Sequence, residues 1–224
     1  MKRYLIISAI FLLAADRLPA QNFQFHYDFG EDRKFVTTTF EMFVPDEYGA
    51  TFWFIDMDYA REHVDTHRSM SLSYLEIARY ISLPFSKDLS ATVQYNDGTV
   101  QGFPLGPIWL FGISYPVQIG QMILNTDILY RTAFDSEAPD VQFTTVWYES
   151  FFDTKVTFTG YIDIWSRDKT DTSKKKVAFM AEPQIWYNFG THLSVGSEIE
   201  VSLNFIPGTE DIQAMPTLGF KWQF

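Results

Sequence analysis

Read back from its C-terminus, the chain alternates. Phe224, Trp222, Phe220 and Leu218 are apolar, while Gln223, Lys221, Gly219 and Thr217 stand between them. An apolar residue at every second position predicts a strand with two chemically different faces. The same period recurs along the sequence, and it predicts strands at residues 22–29, 35–43, 51–59, 71–81, 89–95, 108–117, 123–133, 141–151, 156–165, 177–187, 193–205 and 212–224. That makes about twelve strands of about ten residues, the length a tilted strand needs to cross a hydrocarbon layer. In SLSYLEIARYI (71–81), Leu72, Leu75 and Ala78 also fit helical spacing, so strand and helix both suit that segment.

Connectors alternate as well. Those after odd strands, such as AREHVDTHRSM, NDGTVQGFPLGP and SRDKTDTSKKK, are mostly long and polar, whereas those after even strands, such as FDTK and NFGTH, are mostly short. Long loops at one end and short turns at the other is the pattern of bacterial outer-membrane barrels.

The two phases of the strands differ in a way that says which one meets water. The apolar phase carries almost no charge in its middle, as a lipid-facing band requires, because a cation at the bilayer midplane costs about 2–4 kcal/mol. The polar phase mixes carboxylates with large aromatics. It contains Phe52, Phe54, Asp56 and Asp58 in one strand, Tyr161, Asp163 and Trp165 in another, Glu182, Gln184 and Trp186 in a third, and Glu198 and Glu200 in a fourth. Aromatics on a wetted outer surface are a liability, whereas inside a lumen they wall a ligand. The expected fold is therefore all-β: a closed antiparallel transmembrane barrel of about twelve strands, apolar outside and wet inside, in the outer membrane of a Gram-negative bacterium. A soluble exported β-sandwich is the competing architecture.

At the N-terminus, Lys2 and Arg3 precede an apolar run from Leu5 to Ala15, and the small residue Ala20 precedes Gln21. This predicts a cleavable signal peptide over residues 1–20, followed by a single barrel domain over 21–224. The net charge is −11 for the whole chain and −13 without residues 1–20. Such a field repels phosphate polymers, which argues against a nucleic-acid partner. Cysteine is absent, so zinc–thiolate sites and cysteine nucleophiles are excluded. Aromatic residues make up 18% of the chain, enough for aromatic girdles at both interfaces.

Three blocks, QFHYDFGEDRKFVTTTFEMFVPDEYGATFWFIDMDY, AEPQIWYNFGTHLSVGSEIEVSLNF and MPTLGFKWQF, resemble the Tsx family of nucleoside-specific outer-membrane channels, and within it an uncharacterised group of Tsx-like porins. The terminal phenylalanine with its alternating aromatics is similar to the signal read by the barrel-assembly machinery. The resemblance implies a monomeric barrel with a narrow lumen, held in outer-membrane lipid and lipopolysaccharide, that passes nucleosides by diffusion without a cofactor or metal. Aromatics would stack on the base and ionisable groups would bind the ribose. Phe54, Asp56, Asp58, Glu182, Trp186, Glu198 and Glu200 stand in the matching blocks. The strand phase adds Glu41, Asp127, Tyr161 and Asp163 to the lumen, with Lys221, Arg131 and Arg79 as the opposing cations. Stacking on an aromatic is worth about 1–3 kcal/mol per base. The carboxylate excess predicts a cation-preferring pore that disfavours nucleotides. A lumen blocked by its own paired charges is the competing reading.

Two further motifs bear on enzyme chemistry. His67 and Ser69 form a His-x-Ser pair similar to that of outer-membrane lipid hydrolases, but no third residue is identifiable and the pair falls in a predicted loop. His63, Asp65 and His67 have a spacing that could chelate a metal on a helix, and lack further ligands in a loop. Lys174, Lys175 and Lys176 read as a solvated loop, and His26 as a lumen hydrogen-bonding group.

Overall fold

A computed structural model describes residues 20–30, 33–59, 70–134, 136–169, 172–205 and 209–224. The strands are β1 (Ala20–Asp28), β2 (Val36–Asp46), β3 (Gly49–Asp58), β4 (Leu72–Ser82), β5 (Ser90–Val100), β6 (Phe103–Pro104), β7 (Ile108–Ile119), β8 (Met122–Ala133), β9 (Asp140–Phe151), β10 (Val156–Lys169), β11 (Thr172–Ala181), β12 (Gln184–Phe189), β13 (Leu193–Leu203) and β14 (Gln213–Gln223). Every neighbour pairing is antiparallel and runs in chain order, and β14 pairs with β1 to close the ring. Two of these segments do not add a barrel position. The two-residue β6 folds back on β5, and β11 and β12 occupy one position between β10 and β13, interrupted at Glu182 and Pro183. Proline has no N–H to donate to a ladder. The barrel therefore has 12 strands, and the start of β1 and the C-terminus both lie at the end with the short turns, where Phe224 N–H donates to Gln21 O at 3.1 Å.

Residues 71–81, which the spacing leaves open between strand and helix, form β4, paired with β3 and β5 along its length. Period-two polarity shared with two neighbours outweighs the weak helical stripe, because a strand inside a closed ladder satisfies all of its backbone groups. A second difference concerns SRDKTDTSKKK. Instead of a long loop, β10 runs on to Lys169 and β11 starts at Thr172, so the segment prolongs a hairpin beyond the ladder of its neighbours. Lys175 is held there by Asp168 at 2.7 Å and Asp140 at 3.0 Å.

The face assignment is visible in burial. On β14, Leu218, Phe220 and Trp222 are exposed on the outer wall, whereas Thr217 is buried. On β7, Trp109, Phe111, Ile113 and Tyr115 point outward, while Leu110 is fully buried. Aromatics on adjacent strands meet across this outer wall: Phe25 stacks on Phe220 with centroids 5.1 Å apart, and Tyr95 packs on Trp109 at 4.7 Å. On β1 the order is reversed in chemistry, with Asn22, Gln24, His26 and Asp28 buried at 2–6% exposure. A closed sheet with an apolar outer band and a polar interior belongs in a bilayer, since water outside would leave that band unburied.

Candidate functional site: the acidic lumen

Cross-strand partners share a face, so the ladders trace the lumen from strand to strand. From Asn22 on β1 the inner face passes to Glu41 on β2, Phe54 on β3, Glu76 on β4, Asn96 on β5 and Ile108 on β7. One step along, Gln24 leads to Thr39, Asp56 and Tyr74. On the other side of β1 the ring continues through β14 to β13 and β12, where Gln184 lies beside Glu198 and Trp186 beside Gly196, itself paired with Gly219.

Short polar side chains on the neighbouring strand hold the carboxylates. Asn22 Nδ2 donates to Glu41 at 3.0 Å, Thr39 to Asp56 at 2.5 Å, Thr37 to Asp58 at 2.6 Å and Thr144 to Asp163 at 2.5 Å. Gln184 Nε2 donates to Glu198 at 2.5 Å, and the Tyr161 hydroxyl hydrogen-bonds Glu182. Each donor fixes one carboxylate oxygen, and Asp163 also accepts from Gln142.

Phe54 lies between Phe52 and Tyr74, with centroids at 6.0 and 5.9 Å. Trp186 is placed differently. It has no exposed surface, its Nε1 donates to Gln184 at 2.9 Å, its ring meets His26 edge-on at 5.5 Å, and Lys221 Nζ sits 4.2 Å from its centroid. Gly196 lets the indole lie against the strand, since a Cβ there would come within 2.6 Å of Trp186 Cε3. Trp186 is thus part of the wall, and Phe54 with Tyr74 is the aromatic pair beside the carboxylates.

Several lumen residues lie outside the set that the strand pattern predicts. Asp28 shares the phase of His26 on β1 and was legible from that alternation. Glu76 accepts from Asn96 at 2.9 Å, and it lies in the strand whose period was ambiguous. Arg33 comes from the connector after β1, where no period exists to place it, and it reaches Asp28 at 2.7 Å and Glu200 at 2.5 Å. Arg79, expected as a lumen cation, instead lies between the inward Ala78 and Tyr80 and pairs with Asp46 at the end of β2, at 2.6 Å. Arg131 and Lys221 stand on the inner face, Arg131 opposite Asp140 and Lys221 beside Gln24.

No group of three or more histidines and carboxylates among the described residues has metal-binding geometry. His63, Asp65, His67 and Ser69 lie outside the described residues, as does the predicted signal peptide up to residue 19.

A family model described as "Domain of unknown function (DUF5020)" matches residues 20–224. The chain belongs to this family. No curated protein is similar to it in sequence. Among solved structures it is similar to the NanC porin, at 10% identity and a TM-score of 0.57, covering 92% of this chain and 99% of that one. It is also similar to the KdgM porin, at 8% identity and a TM-score of 0.50, again covering 92% and 99%. A further KdgM porin structure, in complex with disordered oligogalacturonate, aligns at 7% identity with a TM-score of 0.51. At such identities the likeness is one of fold, and the shared fold is the outer-membrane porin barrel. The protein is an outer-membrane barrel of a Gram-negative bacterium.

Proposed function

We propose that the protein is a channel for passive diffusion of small neutral or cationic solutes, nucleoside-like solutes foremost, and that it acts as a conduit and not as an enzyme. The observation that carries this reading is the inner face itself. Asp56, Glu76 and Glu198 line it beside the Phe54 and Tyr74 rings. A planar base stacks on an aromatic for about 1–3 kcal/mol, and ribose hydroxyls donate to carboxylates, whose charge-assisted bonds are the stronger kind. Glu41, Asp58, Tyr161, Asp163, Glu182 and Glu200 complete the proposed solute path, with Trp186 as its supporting wall. Weak sites in series suit conduction, since a tight one would not release its solute.

Oligogalacturonate, present in the KdgM porin complex, carries a carboxylate on each sugar. An acid-lined lumen would repel such a solute, so the proposed solute class differs despite the shared fold. The same reading makes residues 1–20 a leader removed on export, and the mature barrel a monomer in contact with lipid and lipopolysaccharide, inserted by the barrel-assembly machinery.

The test is single-channel conductance of the refolded mature chain in a planar bilayer, titrated with adenosine, thymidine and ribose. Current that falls saturably with either nucleoside and not with ribose is the expected result. A barrel that inserts and carries no current would remove the channel reading, and equal block by ribose would remove the nucleoside preference.

A further inference from the structure

Around Arg33 the lumen holds far more acid than base. Asp28, Asp56, Asp58, Glu182, Glu198 and Glu200 lie within each other's fields. Lys221 reaches this cluster through the field of Glu198, and the cation bonded directly to two of its acids is Arg33. It does not belong to the barrel wall: it is delivered by the connector between β1 and β2. Asp28 turns that connector inward with one carboxylate oxygen, which accepts from Gly30 N–H at 2.6 Å, and holds Arg33 Nε with the other at 2.7 Å. Arg33 Nη1 then spans to Glu200 at 2.5 Å and meets Met215 Sδ at 3.0 Å. Burial acts to lower its pKa, but Glu200 and Asp28 outweigh it and raise the pKa above the ordinary guanidinium value, so the group stays charged.

A second observation shows that this guanidinium does not exhaust the site. Glu200 is 9% exposed and its Oε1 has no hydrogen-bond partner, although its other oxygen holds Arg33. Two residues on, on the same face of β13, Ser202 is 1% exposed and its Oγ is unpartnered too. Buried oxygens without donors are costly, and most in native structures have a partner. Ser202 is paired with Met180 on the neighbouring β11, which leads on to Glu182. What the two oxygens lack is a donor of N–H or O–H groups. The absence of metal geometry among the described residues points away from a bare ion. A polyatomic cation, whose several N–H groups reach separate oxygens, matches carboxylates spread over β1, β3 and β13.

We propose that the lumen around Glu200 and Ser202 is a binding site for organic cations bearing a guanidinium or primary amine, and that Arg33 is its tethered occupant, displaced when such a solute enters. This rests on the channel reading for its purpose, but binding can be measured without conduction. Arg33 then acts as an internal competitor, and a solute gains entry only by replacing its two ion pairs.

The experiment is calorimetric titration of the refolded chain in detergent micelles with agmatine, with 1,4-butanediol and calcium chloride as controls. Saturable binding of agmatine is expected, with affinity about tenfold or more higher in Arg33→Gln, where the competitor is gone, and about tenfold or more lower in Glu200→Gln. Ser202→Ala leaves the Arg33 ion pairs in place, so it guards against a misfolded Arg33 variant, and it should weaken binding several-fold. Absent agmatine binding, equal affinity of Arg33→Gln and wild type, or preferential binding of calcium would each overturn the proposal. Conduction without agmatine binding would sink this site and leave the channel; binding without conduction would do the reverse.

Discussion

Trp186 and the glycines around it show how closely the inner wall is fitted. The indole rests on Gly196, and His26 rests on the directly paired Gly219, where a Cβ would stand 3.0 Å from His26 Nδ1. At Gly196 a Cβ would also fall 2.2 Å from Ile185 O, so the clash cannot be relieved by a side-chain rotation. Gly196→Ala should destabilise the folded barrel by about 1–3 kcal/mol, the usual cost of overpacking. Denaturant unfolding followed by Trp fluorescence checks this, and an unchanged midpoint would mean that Trp186 is free to move. Phe54 has the opposite character, since it packs on Phe52 and Tyr74 and is not sealed. Phe54→Ala should weaken nucleoside block of the current by about 1–3 kcal/mol, with the open-channel current kept.

At the scale of a strand, β4 is the sharpest test of facing. Glu76 and Ala78 point inward with Phe54 and Phe52, and Ile77 points outward with Trp53 and Tyr95. Ile77→Arg should therefore cost up to about 2–4 kcal/mol, depending on its depth in the bilayer, while Glu76→Gln should leave the barrel as stable as before. The chain has no cysteine, so single-cysteine variants give a clean second readout. In liposomes a water-soluble maleimide should label Glu76→Cys and spare Ile77→Cys; the reverse pattern would mean that β4 is shifted by one residue. All twelve barrel strands were legible in the sequence because alternation with an outer phase almost free of charge in its middle is a strong signal. The facing of Phe54, Asp56, Asp58, Tyr161, Asp163, Glu198 and Glu200 followed from it. What period cannot reveal is a side chain arriving from a connector, as Arg33 does, or one whose strand also fits a helix, as Glu76 does. Nor could it show that Trp186 is sealed, because that depends on Gly196 across the β12–β13 hairpin, on Lys221 of β14 and on His26, which reaches the ring only once β1 closes on β14.

For the molecule as a whole, the proposed channel would select its solutes by the balance of charge inside the barrel. The fixed acids are spread around the ring, from Asp28 and Glu41 through Asp56, Glu76, Asp127 and Asp163 to Glu198, while Arg33, Arg131 and Lys221 are among the cations placed on or reaching the inner face. Low-dielectric walls focus such a field along the axis. Replacing Asp56 and Glu198 together by Asn and Gln should weaken the preference for cations without closing the pore. The reversal potential of the refolded mature chain in a planar bilayer, across a tenfold gradient of potassium chloride, tests the central claim most directly. The account predicts a potential whose sign marks potassium as the more permeant ion; a value at zero or of the chloride sign would contradict it.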